Sequence, residues 1–320
     1  MGILVTGSTG FVGTALVERL IKDQFSVSAA ARNLSANKFN SDVNLIDTGN
    51  LTSTLDWNHA MRGVTTIVHL AARAHITNDK SRDSLAEYRY INVDCSLNLG
   101  RQAARLGVKR FIYVSSIKVN GEFTIIGKPF TAKDIPMPKD FYGISKYEAE
   151  IGLRAIAKEF RMELVIIRPP LVYGPRVKAN FLSMMNWLQR GLPLPLGGIT
   201  KNRRSFVFLD NLVDLIITCV THPTAANQIF LVSDDEDLST AGLLSRMTLA
   251  LKLPSKLIAV PTTFISLGAK LLGRADIAQR LCGSLQVDIK KTKDLLDWSP
   301  PVSVDEGLRQ TAAHYLKRKS

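Results

Sequence analysis

Short apolar, β-branched runs alternate with longer segments of helical period from the first residue onward. A short run buried on both faces reads as a strand of a parallel sheet, and each longer segment after it as a crossover helix. The pattern predicts strands at Ile3–Thr6, Ser26–Ala30, Val43–Ile46, Thr66–Leu70, Arg110–Val114 and Leu164–Arg168. Helices are expected over Gly10–Lys22, Leu55–Met61, Asp83–Leu106 and Ser145–Phe160. The fold class implied is α/β, a doubly wound parallel sheet.

Beyond Arg168 the texture changes, because Pro169, Pro170, Pro175, Pro193 and Pro195 punctuate short apolar pieces. The expected organisation is a first domain over residues 1–170, to which the chain returns at about 205–232, and a smaller substrate-binding lobe built mainly from 171–320. The apolar stretch Leu257–Leu272 is broken by Pro261 and Lys270. It falls short of the roughly twenty residues that cross a bilayer. A buried helix with its flanking loop is the first reading, and weak attachment to a membrane surface the alternative.

Composition narrows the class. With 46% hydrophobic and 22% charged residues, the chain suits a globular enzyme rather than a disordered protein. Cys95, Cys219 and Cys282 match no disulfide or zinc spacing, so no metal site is indicated and a reducing compartment fits. The opening MGILVTGSTG enters a strand directly, without an export signal, and the expected location is cytoplasmic. Lys and Arg outnumber Asp and Glu by 41 to 28, a formal charge of +13 that suits an anionic small molecule. No basic run interleaved with aromatics occurs, which argues against nucleic acid as the partner.

The first strand runs into Thr6-Gly7-Ser8-Thr9-Gly10-Phe11-Val12-Gly13 and then an apolar helix. In that setting Gly7 permits a tight turn, Gly10 lets backbone approach a pyrophosphate, and Gly13 lets helix and strand pack. The helix N-terminus then offers N–H donors to the anion. This is a Rossmann-type dinucleotide site. At the end of the second strand, where a carboxylate would bind an adenosine ribose hydroxyl, the chain reads Ala29-Ala30-Ala31-Arg32. Arg32 suits a 2′-phosphate, which favours NADP(H), with NAD(H) retained as the alternative. The plainer reading of Arg32 is a solvated charge or a plane stacked on adenine.

Tyr142 and Lys146 stand four residues apart at the start of a helix and so share a face. A tyrosine of pKa near 10 exchanges protons poorly at neutral pH, and a nearby cation favours its phenolate. Tyr142 is thus the candidate acid or base, and Lys146 the cation that lowers its pKa. Ser116, after the apolar strand ending in Val114, sits at the edge where α/β sheets bind ligands and can hold the reacting oxygen. Taken singly, such a serine is more often a cap.

These residues resemble the extended short-chain dehydrogenase/reductase family, in its branch of nucleotide-sugar epimerases, dehydratases and reductases. The resemblance runs through TGSTGFVG at 6–13, VHLAARAH at 68–75, YVSSIKVNGE at 113–122, YGISK at 142–146, RPPLVYGP at 168–175, RRSFVFLDNLVD at 203–214 and the closing LLDWSPPVSVDEGL. It implies a catalytic Ser116, Tyr142 and Lys146. It further implies cofactor contacts from Gly7, Gly10, Phe11, Val12, Gly13, Asn50, Leu51, Leu70, Ala71, Ala72, Asn92 and Pro169 as well as Tyr142 and Lys146. A UDP-sugar would meet Ser116, Asn180, Leu196, Arg204 and Arg280, the two arginines clamping its diphosphate.

Departures from the family pattern sharpen the reading. Leu171 replaces an asparagine that contacts phosphate, and Ser284 an aspartate that binds a ribose hydroxyl. Ile117 and Lys118 replace the acid pair with which sugar 4,6-dehydratases eliminate water, which excludes a dehydratase. A 4-ketoreductase and a 4-epimerase remain. Arg32 and the missing ribose carboxylate favour NADPH and hence a reductase. The chain also resembles C4-reductases that convert a UDP-4-keto-6-deoxy-N-acetylhexosamine to UDP-N-acetylquinovosamine for surface polysaccharide, which places that reading first. The resemblance also implies a homodimer through the two long helices. From another class, a non-catalytic cofactor-sensing regulator would need no complete Ser, Tyr and Lys set.

Overall fold

The computed structural model describes residues 1–33, 39, 43–73, 84–271 and 273–318, with backbone only at 180 and 275–277. Six parallel strands arise where the apolar runs predict them: β1 (Gly2–Thr6), β2 (Ser26–Ala31), β3 (Asn44–Asp47), β4 (Val64–His69), β5 (Arg110–Val114) and β6 (Glu163–Arg168). Helix α1 (Phe11–Lys22) joins β1 to β2, α2 (Ser84–Arg89) and α3 (Cys95–Arg105) lead from β4 towards β5, and α4 (Phe141–Phe160) precedes β6. Beyond β6 come β7 (Leu171–Tyr173), α5 (Ala179–Gln189), β8 (Phe206–Phe208), α6 (Leu209–Thr221) and β9 (Ile229–Leu231). Helices α7 (Thr240–Ala250), α8 (Thr262–Leu271), α9 (Ala275–Cys282), α10 (Lys290–Leu296) and α11 (Val304–Lys317) complete the described chain.

The main sheet has the order β3-β2-β1-β4-β5-β6-β9, all parallel, and β7 pairs with β8 in a second small sheet. Alternate strand residues face opposite layers. Ile3 and Val5 join one core with Leu16, Leu20, Leu212 and Ile216 of α1 and α6, and Leu4 joins the other with Leu99 and Leu153 of α3 and α4. A third core gathers Phe181, Leu243, Met247 and Leu308 from α5, α7 and α11. The fold is a doubly wound, Rossmann-like α/β sheet.

Three helix expectations change. Leu55–Met61 forms only a 3-10 turn at His59–Met61. There Asp56 takes the Asn58 N–H at 2.9 Å and Gln102 the Trp57 N–H at 2.8 Å, so side chains satisfy donors a helix would have used. The long helix expected from Asp83 is described from Ser84, Asp83 lying outside the described residues, and widens into a π-helical turn at Tyr90–Asp94. Helix α4 begins at Phe141, four residues before Ser145, because the Asp140 carboxylate accepts the Gly143 N–H at 2.7 Å.

Candidate active site

At the carboxyl edge of β1 the chain turns through Gly7 at φ +68°, a left-handed conformation that favours glycine. A Cβ on Gly13 would lie 2.1 Å from the Gly7 carbonyl oxygen, so α1 approaches the loop as closely as backbone allows. Gly10 caps the helix, donating its N–H to Gly7 at 2.9 Å. The amides of Phe11, Val12 and Gly13 head the helix with no intrahelical acceptor, which makes an anion cradle. It lies where β1 and β4 adjoin, the point at which strand order reverses. Leu70 and Ala71 hang from Thr6, at 3.3 Å to its carbonyl and 3.4 Å to its hydroxyl, with Ala72 half-buried beyond them.

The remaining candidate cofactor residues lie on the same edge. Arg32, exposed, directly follows β2; Asn50, exposed, and Leu51, packed against the second core, follow β3. Pro169 is buried after β6 and accepts the Ile117 N–H at 3.0 Å, which ties it to the turn beside Ser116. The cap role expected of a lone serine is present: Ser116 Oγ accepts the Lys118 N–H at 3.2 Å. That bond uses a lone pair and leaves the hydroxyl proton available to a ligand.

Tyr142 sits half-buried in the first turn of α4, with Lys146 buried one turn later. The rings of Tyr142 and Tyr88 meet edge-on at 6.2 Å. Asp140, besides capping α4, pairs with Lys118. Asn92 straps the start of the helix to the chain after β4, donating to Ser145 Oγ at 2.9 Å and Arg73 O at 3.1 Å and accepting the Arg73 N–H at 2.8 Å.

Burial, the Asp140 carboxylate and Tyr88 hold the Tyr142 phenol above its ordinary pKa, so it is protonated at neutral pH. Burial lowers Lys146 to about 7, partly opposed by the charge of Glu150. In the protein alone the phenol thus keeps its proton, and burial leaves Lys146 close to half-charged at neutrality.

Several residues that the sequence reading passed over hold these groups. The Arg168 guanidinium forks onto the fully buried Glu150 carboxylate at 2.5 and 2.9 Å and donates to Asn120 Oδ1 at 2.9 Å. Ser115 Oγ donates to the same carboxylate at 2.6 Å. One buried ion pair thus joins α4, the end of β6 and the turn after β5. The available signal was Glu150, one helical turn beyond Lys146.

For the substrate side, Arg204 is half-buried and donates to the carbonyls of Arg280 at 2.9 Å and Gly283 at 3.2 Å, and burial lowers its pKa. Thr124 bridges Ser284 and Arg204 bridges Leu285, so the segment after Ser116 and Arg204 both pair with the stretch that follows α9. Leu196 is half-buried in a loop whose neighbours Leu194 and Gly197 bond Lys256 and Ile258. The Asn180 side chain lies outside the described residues. At the departures from the family pattern, Leu171 is exposed and Ser284 accepts the Arg203 N–H at 3.0 Å.

Comparison with known proteins places the chain in a family. The model of the NAD dependent epimerase/dehydratase family matches residues 3–233. The chain is 50% identical over 316 residues, 98% of its length and 95% of the relative's, to a UDP-glucose 4-epimerase of Vibrio cholerae. It is 26% identical, over 97% of its length and 93% of the relative's, to the N-acetyl-alpha-D-glucosaminyl-diphospho-ditrans,octacis-undecaprenol 4-epimerase of Escherichia coli O157:H7. Its fold superposes on UDP-glucuronic acid 4-epimerase from Bacillus cereus in complex with NAD with a TM-score of 0.81, at 20% identity and full coverage of both chains. The sheet, the anion cradle and these matches define a Rossmann-type, dinucleotide-dependent enzyme. The chain belongs to the NAD dependent epimerase/dehydratase family.

Proposed function

We propose that this protein is an NAD-dependent 4-epimerase of a UDP-hexose or UDP-N-acetylhexosamine. The observation that carries the reading is the 50% identity, along nearly the whole chain, to a UDP-glucose 4-epimerase. This reverses the order expected from Arg32, the missing ribose carboxylate and the resemblance to C4-reductases, which together put a reductase first.

The loop residues fit a dinucleotide: Gly7 and Gly13 clear the approach and the amides of Phe11, Val12 and Gly13 take the pyrophosphate. Leu70, Ala71 and Ala72 flank it. When bound, the nicotinamide supplies a reversible acceptor for the hydrogen at the sugar's C4. Tyr142 moves the proton at O4, taking it as the ketone forms and returning it when the other face is reduced. Ser116 hydrogen-bonds that oxygen through its free hydroxyl proton, and charged Lys146 holds the nicotinamide ribose and favours the phenolate when the site is filled. Arg204 and Arg280 receive the diphosphate, whose binding orients the hexose.

Arg32, in place of a ribose-binding carboxylate, favours the second reading, an NADPH-dependent C4-ketoreductase. One experiment separates them: identify the dinucleotide released from the purified protein, then follow UDP-glucose and UDP-N-acetylglucosamine by NMR. Retained NAD⁺ with conversion to the 4-epimer and no net change at 340 nm is the expected result. Stoichiometric NADPH oxidation by a UDP-4-keto sugar, without epimerisation, replaces the proposal with the reductase.

A further inference from the structure

Helix α8 departs from the expectation of a buried helix over Leu257–Leu272. Phe264, Leu267 and Leu271 are 66%, 57% and 80% exposed, and no residue of the helix is buried. Their spacing of three and four residues aligns them in one stripe. A surface helix ordinarily turns such a stripe inward; here it faces out. Ile258, in the segment leading to the helix, is also 52% exposed.

Along the chain, the charges flanking the stripe share one sign as far as Asp276. Between Asp237 and Asp276 the chain carries no carboxylate, while Arg246, Lys252, Lys256, Lys270 and Arg274 all fall in that interval. Arg246 is paired with Glu236 and Asp305. Lys252, Lys256, Lys270 and Arg274 are exposed and form no ion pair with a described residue. Lys270 adjoins Leu271 at the edge of the stripe, and Arg274 follows the helix end. Apolar residues on one face with basic side chains beside them are the composition of a helix lying in a membrane interface. No described helix is long and apolar enough to cross a membrane.

We infer that α8 docks the protein on an anionic lipid bilayer, with Phe264, Leu267 and Leu271 entering the acyl boundary and Lys270 and Arg274 meeting headgroup charge. Charge complementarity selects this occupant. A second copy seated on the same stripe would bring further cations and, from this interval of the chain, no carboxylate to meet Lys270 and Arg274. Helix α8 packs against α9, whose Arg280 carbonyl accepts the Arg204 guanidinium, so docking would set the candidate diphosphate cleft beside the lipid surface.

The test is sedimentation of the full-length protein with phosphatidylcholine vesicles, with and without phosphatidylglycerol. Binding to the anionic vesicles is expected, weakening with added salt. In the variant carrying F264S, L267S and L271S together, partitioning should fall at least about tenfold while the thermal transition stays unchanged. As a second measure, Phe264→Trp should gain a blue-shifted emission, quenched by brominated acyl chains, only with anionic vesicles. Equal pelleting without phosphatidylglycerol, no pelleting, or pelleting insensitive to the triple substitution overturns the inference. So does a triple variant that converts a wild-type dimer to monomer without changing lipid binding, for then a second copy covers the stripe.

Discussion

The ammonium of Lys146 lies 4.2 Å from the centroid of the Tyr113 ring. Strand β5 thus presents an aromatic face to a buried cation projecting from α4. A desolvated cation–π contact contributes roughly 2 kcal/mol, and about 1.4 kcal/mol corresponds to one pKa unit. The ring therefore favours the charged form of a lysine that burial has lowered to about 7. Tyr113→Leu should shift the activity limb set by charged Lys146 to lower pH by roughly one unit. Tyr113→Phe keeps the ring face and removes a buried hydroxyl with no hydrogen-bond partner among the described residues. It should keep the wild-type pH profile and unfold no more easily. Rate–pH profiles of the two variants check both outcomes.

Replacing Tyr142 by Phe removes the proposed proton carrier and nothing that anchors α4, since the helix is capped by Asp140 and strapped by Asn92. Loss of such an acid or base lowers turnover by about 10²–10⁴-fold. The expected result is that loss with cofactor affinity and thermal transition nearly unchanged. Unaltered turnover would remove Tyr142 from the mechanism.

Gly13→Ala tests the anion cradle. The new Cβ would lie 2.1 Å from the Gly7 oxygen and 2.8 Å from the Ser8 Cα, and neither neighbour is the end of a flexible side chain. Overpacking of this kind costs about 1–3 kcal/mol. Because the loop must move away from α1, dinucleotide affinity should fall by more than the loss of stability alone explains. Titration calorimetry beside urea denaturation separates the two.

The parts of the fold that were legible in the sequence are those set by local pattern. Buried parallel strands need continuous apolar runs, so Arg110–Val114 appears at its predicted bounds. The glycine loop was legible because its turn requires a residue type. The start of α4 was not, because its cap is one of several polar residues in that stretch, and only the structure shows Asp140 taking the Gly143 amide. The site's charge balance was also hidden. Spacing places Tyr142 and Lys146 on one face, but burial decides which of them keeps its proton. Hydropathy could not orient α8 either: an apolar helix buried in a core and one displayed on a surface have the same composition.

The Glu150–Arg168 pair makes a further prediction. Both side chains are essentially inaccessible, and the carboxylate takes Ser115 as a third donor. Removing one partner of such a pair leaves the other charge buried and costs about 3–5 kcal/mol. Arg168→Met should destabilise by that amount in urea. It should also lower turnover in the folded fraction, because Ser115 adjoins Ser116. Arg168→Lys should recover part of the stability and none of the forked geometry.

His69 sets a limit on the acid side. Its ring is buried between Thr6 Oγ1 at 2.6 Å and Ser96 Oγ at 2.8 Å, and it stacks on Tyr113. Burial, helped by the nearby Lys146 charge, lowers its pKa from 6.5 to about 3. In the unfolded chain the imidazole takes up a proton as pH falls below about 6.5, whereas the folded ring stays neutral down to about 3. Between those values the unfolded state binds more protons, so stability must fall as pH falls. The contribution of neutral His69 is whole above 6.5 and is progressively lost towards 3. His69→Gln keeps two polar ends but does not titrate, and should flatten this part of the stability curve even if it lowers stability at pH 7. Urea midpoints at pH 7, 6, 5 and 4 decide it. A wild-type-minus-variant difference that shrinks steadily with acid is expected; a constant difference would mean that His69 takes up its proton alike in the folded and unfolded states.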